Sequence, residues 1–535
     1  MDTFDYIVIG AGSAGCVLAN RLTEESQNRV LLLEAGGKDI NPWIHVPVGY
    51  FKTMHNPSTD WCYETEPDSG LAGRRLKWPR GKVLGGSSSI NGLLYIRGQR
   101  EDYDGWRQMG NAGWSYDDVL PYFKKAENQE RGADEYHGAD GPLSVSNIRI
   151  NRPICEEFIA AAESIGIRRV EDFNGKDQEG VGYFQLTTKN GRRCSSAVAY
   201  LHSIKRRKNL KVVTHAHVRR IIIKNGQATG VEYQDQRGQK TSASVNNEVI
   251  LSAGAIGSPQ ILNLSGIGDG NELQTLEIEC SAHLPGVGKN LQDHLQIRTV
   301  HKTAKPCTLN TELNNPIRKA VMGIEYALKR TGPLTMGASQ VCIFTRSNDF
   351  VEVPDIQFHF QPMSADSPGD GLHKYSAFTL SVTQLRPESI GSIRLASPDP
   401  LAYPKIFPNY LSSNLDCQVA VDSLKVTRRI CQAEPIAGKI DEELEPGVSL
   451  QSDEELLQFA RTNSNTIYHP TSTCRMGPDE MSVVDERLRV KGIRGLRVAD
   501  ASIMPRIISG NTNAPTIMIG EKAADLIKQD AKIRT

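Results

Sequence analysis

The feature that most constrains this chain is a glycine turn set between two apolar strands near its start. Residues 5–9 read Asp-Tyr-Ile-Val-Ile and run directly into Gly-Ala-Gly-Ser-Ala-Gly at 10–15. A helix of small residues follows, and a second apolar strand at 30–33 ends at Glu34. In this strand–turn–helix–strand setting, the GxGxxG pattern predicts a βαβ unit that binds the pyrophosphate of a dinucleotide at a helix N-terminus.

The residues of this unit have distinct expected roles. Gly10 makes the tight turn, Gly12 lets the backbone approach the pyrophosphate, and Gly15 lets the helix lie close to the sheet. Glu34 is placed to accept hydrogen bonds from a ribose hydroxyl. Taken alone, the unit indicates only a bound dinucleotide, with NAD as the natural first interpretation.

Length, charge and cysteine usage narrow the class of protein. The 535 residues suffice for roughly two to four domains, and 62 basic residues balance 62 acidic ones. The chain therefore has no net excess of basic residues that would indicate binding to nucleic acid or to an anionic membrane. No run of 18 apolar residues could span a bilayer, and the first strand lies too close to Met1 for a cleavable signal peptide.

The ten cysteines are scattered singly, without a CxxC pair. This spacing argues against a zinc site and a disulfide framework, so reduced thiols, no metal and a cytoplasmic location are expected. The sequence leaves peripheral attachment to the inner membrane open.

Between the motifs, the residue pattern predicts a mixture of helices and strands. Residues 36–80 predict a long irregular excursion over the surface, and 101–132 and 153–166 predict helices. Residues 211–254 predict an antiparallel meander inserted as a crossover, then a buried parallel strand. The predicted strands are 212–213 with 218–223, 230–233, 242–244 and 249–251.

Residues 355–396 change to an alternation of apolar and polar side chains. The stretches 356–361 and 378–383 predict antiparallel strands with one face buried and one polar. They are interpreted as the floor of a second domain, and their polar faces are candidate walls of a substrate pocket.

Three further blocks have unusual compositions. Residues 78–92 combine Gly and Ser with little bulk, which suits a backbone pressed against a flat ligand. In 254–268, Ser258 is the expected N-cap of a short helix and Pro259 its first-turn residue. The third block is C-terminal. It contains Tyr-His-Pro at 468–470, a short strand ending in Asp500, and Gly-Asn-Thr-Asn at 510–513 with Asn513 as the expected cap of a packed helix.

Together these four blocks resemble the glucose–methanol–choline (GMC) oxidoreductases, flavoproteins that oxidise alcohols, over essentially the whole chain. Within that family the chain looks most like bacterial FAD-dependent dehydrogenases of alcohols, polyethylene glycol and sorbose. The resemblance implies an α/β fold, with a Rossmann-like FAD-binding domain on a parallel sheet and a substrate-binding domain on an antiparallel sheet. The implied FAD-binding ranges are 1–155, 195–297 and 463–535, and the implied substrate ranges are 156–194 and 298–462.

The resemblance implies FAD rather than NAD at the opening motif. The residues expected to hold FAD are Gly10, Gly12, Ser13, Gly15, Glu34, Ala35, Arg80, Gly81, Val83, Gly86, Asn91, Gly92, Val218, Asp500, Ala501, Asn513 and Thr516. Some relatives attach FAD covalently through a histidine just before the asparagine of the first signature. Here that position is Ile90, which cannot form the bond, so non-covalent FAD is expected.

The resemblance also assigns the chemistry. His469 is the implied general base and Asn511 the second catalytic residue. A primary alcohol (aliphatic, polyol or polyether) would lose its hydroxyl proton to His469 and a hydride to flavin N5, giving the aldehyde. The electrons would then pass to a quinone, a dye-like acceptor or O2. Tyr468 is expected to pack on the substrate.

Several alternatives stay open within and beyond this class. Choline dehydrogenase and an alcohol or furan-alcohol oxidase using O2 belong to the same family, whereas a non-redox flavin lyase is a different class. Gln340 is assigned to the substrate site where many relatives carry glutamate, and this neutral amide argues against choline. The presence of both His469 and Asn511 argues against a lyase.

Overall fold

The computed structural model describes residues 2–366 and 371–534, and its first sheet is the predicted dinucleotide-binding sheet. Five of its strands are parallel and lie in the order Leu210–Val213, Val30–Leu33, Asp2–Ile9, Lys240–Leu251 and Leu496–Val498. The central strands are buried on both faces, which explains why they read as continuous apolar runs.

The antiparallel meander joins the same sheet, but the prediction of two separate strands at 242–244 and 249–251 is wrong. These residues form one strand, Lys240–Leu251, whose first half pairs with Gln227–Gln234 and whose second half pairs with Leu496–Val498. Residues 212–213 likewise belong to a separate parallel edge strand rather than to the meander strand His217–Lys224.

The helix that follows the glycine turn, Ser13–Leu22, packs against the C-terminal helix Asn513–Arg534. A Cβ added at Gly520 would lie 3.0 Å from the Ala14 backbone, so the two helices are in close contact. Arg21 forms a two-pronged ion pair with Glu521 at 2.8 Å, and these contacts fix the start of the C-terminal helix over the first sheet.

The second sheet is the predicted antiparallel floor. Its order is Ile440–Glu445, Leu295–Thr303, Ala377–Gln384, Ile356–Gln361, Val341–Thr345 and Gly180–Tyr183, with Asn465–Thr466 beside Leu295–Thr303. The polar face of the two predicted strands is enclosed, since Gln357, His359 and Thr379 are all buried. The alternation of apolar and polar side chains therefore indicates a sheet with one face packed on the hydrophobic core and the other face lining a polar interior.

Three predicted segments have different bounds in the structure. The range 101–132 is two helices followed by a strand, and 36–80 contains short helices and buried aromatic side chains as well as loops. The helix after Gly254 begins at Gly254 itself, one turn before Ser258, so Ser258 is inside it. The last helix starts at Asn513, and Asn513 accepts a hydrogen bond from Ser13 at 2.8 Å.

The remaining elements surround the two sheets. The α-helices are Ser13–Leu22, Pro42–His45, Tyr50–Thr53, Arg100–Gln108, Tyr116–Ala126, Pro153–Ser164, Gly254–Leu264, Gly270–Thr275, Leu309–Leu313, Pro316–Lys329, Asn414–Cys431, Asp453–Asn463 and Asn513–Arg534. Short paired strands are Tyr63–Glu64 with Lys77–Trp78, Thr188–Lys189 with Arg192–Arg193, Ile267–Gly268 with Ala282–His283, Ser392–Arg394 with Lys405–Phe407, and Glu127–Gln129 with Leu143–Asn147 and Gln185–Leu186. Within the described ranges, none of these helices has the length and apolarity that crossing a bilayer requires.

Candidate active site

A single cavity joins the carboxyl edge of the first sheet to the polar face of the second. Gly10 and Glu34 line one end of it, and Gln296, Arg298 and His359 line the other. This is the expected position for a ligand site on a parallel sheet, because loops and helix N-termini converge where the strands end. All but three of the residues predicted for the site line this cavity.

The three exceptions are Gly15, Val83 and Gln340. A Cβ on Gly15 would lie 1.8 Å from the Gly10 carbonyl oxygen, so Gly15 serves helix packing. Val83 is buried beside the cavity lining. Gln340 is fully buried, and its amide bonds to the Cys155 thiol and the Met336 sulfur rather than lining the cavity. The predicted substrate contact at Gln340 therefore has no support, and neither does the argument it gave against choline.

The glycine turn and the Gly-rich segment 81–92 are in direct contact. A Cβ on Gly86 would stand 2.7 Å from the Gly12 Cα, so only glycine fits there. The Gly85 N–H donates to the Ala11 carbonyl at 2.7 Å. Two stretches of bare backbone thus form one wall of the cavity, which suits close approach by a pyrophosphate or a flat ring.

Glu34 lies at the end of its strand with both carboxylate oxygens engaged. One accepts from the Ala11 N–H at 2.9 Å and the other from the Gly36 N–H at 2.8 Å. Burial raises the pKa of Glu34 to about 7, while these two bonds act in the opposite direction. Each oxygen retains accepting capacity, so the carboxylate can receive ribose hydroxyls.

Asp500 ties the end of the last parallel strand to the helix Gly254–Leu264. Its carboxylate accepts from the Gly254 N–H at 2.9 Å, the Ser258 hydroxyl at 2.6 Å and the Ser502 N–H at 2.8 Å. Ser258, predicted as a helix cap, instead acts as a buried donor to this acid. These bonds fix the positions of two cavity-lining segments, 253–257 and 500–501, relative to each other.

His469 lies at the other end of the cavity, within a chain of hydrogen bonds. Its Nδ1 lies 3.0 Å from Nδ1 of His294, and its Nε2 lies 3.2 Å from the Asn511 amide nitrogen. His294 Nε2 lies 3.0 Å from the Leu385 carbonyl oxygen. The Gln357 amide donates to the Asn511 oxygen at 3.4 Å.

The Leu385 carbonyl fixes the direction of this chain, because a carbonyl can only accept. His294 must therefore carry its proton on Nε2, which leaves Nδ1 as an acceptor when the ring is neutral. His469 then donates from Nδ1, and its Nε2 is unprotonated and accepts from Asn511. The network presents a basic imidazole nitrogen, with an amide donor beside it, to the cavity.

The backbone at His469 is held in a strained turn. Tyr468 has a φ of 70°, which is unfavourable for a residue other than glycine. Buried Asp293 accepts from the His469 N–H at 2.6 Å, from the Thr466 hydroxyl at 2.5 Å and from the Tyr410 hydroxyl. These three bonds compensate for the strain and fix the direction of the His469 side chain.

Burial lowers the pKa of His469 well below its usual value, and His294 and His359 act in the same direction. Burial also lowers the pKa of His294 to about 4 and that of His359 to about 3. All three rings are therefore neutral near pH 7, the state in which an imidazole can accept a proton.

Sequence reasoning did not find Asp293 or His294, and it identified Gln357 only as part of a polar strand face. Asp293 and His294 are adjacent and lie immediately before the buried strand Leu295–Thr303. Two polar residues at the start of a buried strand were the sequence signal that could have identified them. Gln357 lies on the polar face predicted as a pocket wall. On that face, His359 and Gln361 do line the cavity.

The cavity lining fits FAD as the resemblance described it. The bare backbone at Gly12 and Gly86, the carboxylate of Glu34 and the start of the helix Asn513–Arg534 offer a pyrophosphate seat, a ribose acceptor and a positive helix end. The ten cysteines are free thiols. In the part of the chain that the structure describes, no three His, Cys, Asp or Glu side chains are grouped as a metal site.

Comparisons with known proteins give a consistent result. A family model described as GMC oxidoreductase matches residues 4–296, and a second one with the same description matches residues 387–520. Human mitochondrial choline dehydrogenase is 46% identical over 98% of this chain and 90% of its own length. The alcohol dehydrogenase [acceptor] of Pseudomonas putida is 43% identical, over 98% of this chain and 95% of its own.

Two solved structures with the same fold are oxidases. Pyridoxine 4-oxidase from Mesorbium loti superposes with a TM-score of 0.88 at 32% identity, covering 98% of both chains. A formate oxidase variant from Aspergillus oryzae RIB40, solved for the effect of a mutation on FAD modification, superposes with a TM-score of 0.92 at 27% identity over 99% of both chains.

Proposed function

The chain belongs to the GMC oxidoreductase family, and from this premise we propose that it oxidises a primary alcohol at His469 with non-covalent FAD in the cavity. The observation behind the proposal is the hydrogen-bond chain from the Leu385 carbonyl, which leaves His469 Nε2 unprotonated beside the Asn511 amide. The alcohol dehydrogenase [acceptor] at 43% identity supports the same chemistry.

Bound FAD would supply the acceptor for the hydride that leaves the alcohol carbon. Gly12 and Glu34 would hold its ADP half, and Asn91, Asn513 and Thr516 would line the flavin end. Ile90 lines the cavity at the position where some relatives carry a linking histidine, and its side chain offers no nucleophilic atom. Release of the yellow colour by denaturant would test the non-covalent attachment, and flavin that stays with the precipitated chain would contradict it.

The protein's own groups would handle the proton. The alcohol hydroxyl would replace the Asn511 N–H as the donor to His469 Nε2, which would then accept the hydroxyl proton, and the released Asn511 amide would donate to the substrate oxygen. The Gln357 amide donates to the Asn511 carbonyl, which is consistent with an Asn511 amide nitrogen that faces His469. A positioned base typically contributes ~10²–10⁴-fold in rate, so His469→Ala should lose flavin bleaching by alcohol by about that factor while retaining FAD.

For the substrate class, we propose a neutral primary alcohol. The carboxylates that line the described cavity, Glu34 and Asp500, lie at the nucleotide end and at the strand edge, whereas Arg80 and Arg298 line the end near His469. A cationic substrate would enter beside these two guanidinium groups without a carboxylate partner among the described lining residues. A desolvated like-charge arrangement of this kind disfavours binding.

Choline is the second candidate, and two observations favour it. Human choline dehydrogenase is 46% identical to this chain, and Tyr50, Phe51 and Tyr468 line the cavity and could face a quaternary ammonium. The two candidates differ only in the charge of the substrate. Choline and its neutral isostere 3,3-dimethylbutan-1-ol therefore form a matched pair for kcat/KM.

The deciding experiment is anaerobic bleaching of the flavin with this pair and with simple alkanols, polyols and short polyethers. A kcat/KM for the isostere equal to or above that for choline supports the neutral class, and a tenfold preference for choline supports the second candidate. No bleaching by any alcohol would contradict alcohol oxidation altogether. Reoxidation with O2 or with a quinone then distinguishes oxidase from dehydrogenase.

A further inference from the structure

The helix Pro316–Lys329 has its apolar stripe on the side that faces solvent. Ile317 is 74% exposed, Val321 58%, Ile324 60% and Leu328 79%. The spacing of four, three and four residues puts these four side chains on one narrow face. We call them the exposed stripe.

This arrangement is the reverse of an ordinary surface helix, whose apolar face is turned inward. The helix packs on the protein through Met322 and Tyr326, which are buried on the opposite side. Ala320 and Ala327 are exposed and widen the stripe along one edge. Across the described chain, no other helix or strand carries more than one exposed large apolar side chain.

Basic side chains accompany the stripe. Arg318, Lys319 and Lys329 are exposed, and Arg330 ends the helix with its guanidinium over the Tyr326 ring. Arg318 and Lys329 each follow a stripe residue directly in sequence, so they border the stripe along its length. The balanced charge of the whole chain therefore conceals a local excess of positive charge around an apolar face.

We propose that the exposed stripe is a docking surface for the interface of an anionic lipid bilayer. A helix that lies flat in that interface buries an apolar face among the acyl chains, and its Lys and Arg side chains reach anionic headgroups. The stripe and its basic border match both requirements. Long basic side chains can extend to the headgroups while their stems stay in apolar surroundings.

The dimensions argue against a second copy of the chain as the occupant. From Ile317 to Leu328 the stripe is about 16 Å long, and the helix is about 10 Å wide. A stable protein–protein interface buries about 800 Å² on each partner, several times this area. A bilayer needs no matching shape, so a small linear stripe is sufficient for reversible attachment.

The helix that carries the stripe contacts the helix Leu309–Leu313, which borders a part of the cavity wall. Beneath the neighbouring helix Leu309–Leu313, the side chains of Leu309, Met336 and Met363 form a cluster to which Phe51 and Leu372 add. Phe51, Met363 and Leu372 also line the cavity. Docking at the stripe would bring this cavity wall close to the lipid.

The test is co-sedimentation of the FAD-loaded protein with phospholipid vesicles. One vesicle set is phosphatidylcholine alone, and the other is phosphatidylcholine mixed equally with phosphatidylglycerol. The wild-type chain is expected to bind the anionic set more tightly. Ile324→Gln with Leu328→Gln should lower that binding by at least about tenfold, whereas the control pair Leu401→Gln with Val448→Gln, also exposed, should not.

A second pair of variants tests the charges. Arg318→Gln with Lys329→Gln should lower binding to the anionic vesicles only, and Lys205→Gln with Lys208→Gln should leave it unchanged. Flavin content, melting temperature and turnover of a water-soluble alcohol should match the wild type in every variant.

Failure of the wild type to bind anionic vesicles would overturn the proposal, as would a stripe variant that binds as tightly as the wild type. A wild-type dimer that dissociates on changing the stripe, measured by light scattering, would also overturn it, because the occupant would then be a second copy.

Discussion

His294 does not line the cavity, yet the hydrogen-bond chain predicts that it controls the base. Replacing it with phenylalanine removes the acceptor for the buried Nδ1–H of His469. The amides of Asn511 and Gln357 can each rotate by half a turn and exchange donor for acceptor, so only the Leu385 carbonyl, acting through His294, fixes the direction of the chain. Without it, His469 can move its proton to Nε2, where it no longer serves as a base.

The expected magnitude follows from the lost bond. A buried donor left without an acceptor costs about 1–3 kcal/mol, and a factor of ten corresponds to about 1.4 kcal/mol. The ratio of the basic tautomer of His469 to the other tautomer should therefore fall by about 5- to 150-fold. The rate constant for anaerobic flavin reduction by alcohol, measured by stopped flow, should fall by up to the same factor while the apparent affinity for the alcohol stays close to the wild-type value.

Two variants separate this effect from general damage to the interior. His294→Asn can return a carbonyl oxygen near the lost acceptor, so it should recover part of the rate. His301→Phe removes another buried histidine, which lies in the strand that follows His294 and outside the network, and it should reduce flavin as fast as the wild type. Wild-type rates in His294→Phe with FAD bound, or equal losses in the Phe and Asn variants, would refute the reasoning.

Three further predictions concern the effect of pH on rate, the effect of pH on stability, and the room for a side chain at two glycines. Because the pKa of His469 lies below 6.5, its base form persists as pH falls, and the flavin reduction rate should stay flat from pH 8 to below 6.5; an inflection above pH 6.5 would contradict this. Burial lowers the pKa of His301 to about 4, so the unfolded chain binds a proton first as pH drops, and stability should be lost from pH 6.5 toward 4. This amounts to about 3 kcal/mol for such a group, and urea unfolding of His301→Phe should show the shallower pH dependence. Gly86→Ala should lose FAD because its Cβ would meet Gly12. Gly73→Ala also changes a glycine with a positive φ, but its Cβ would enter open space, so this variant should keep FAD. The ratio of flavin to protein absorbance measures both variants, and a Gly86→Ala protein that retains its yellow flavin would refute the packing argument.

The local patterns predicted the parts of this molecule that short-range physics determines. The βαβ unit at 2–34 and the helix at 153–164 follow from apolar periodicity, and the alternation at 356–361 identified a strand of the second sheet. Helix starts were less predictable. Ser258 has the residue type of a cap, but it lies within a helix because buried Asp500 uses its hydroxyl.

The candidate base His469 could be predicted from the sequence, but the hydrogen-bond partner that orients it could not. His469 stood out through its neighbours in sequence, whereas His294 is 175 residues away and reaches it through the pairing of residues 292–295 with residues 466–471. Gln340 failed for the opposite reason. The resemblance of its segment to the family placed it near the substrate, but in the structure its buried amide bonds to the Cys155 thiol and the Met336 sulfur.

The packing of helix Asn513–Arg534 on helix Ser13–Leu22 has a consequence for how the protein is made. Ser13 and Asn513 are 500 positions apart, and both line the cavity. At a synthesis rate of about 5–20 residues per second, the first half of the nucleotide seat waits about 25–100 s for its other half. During this interval the carboxyl edge of the nascent sheet is not yet covered by the C-terminal helix. The cofactor can therefore be enclosed only after this helix has been synthesised.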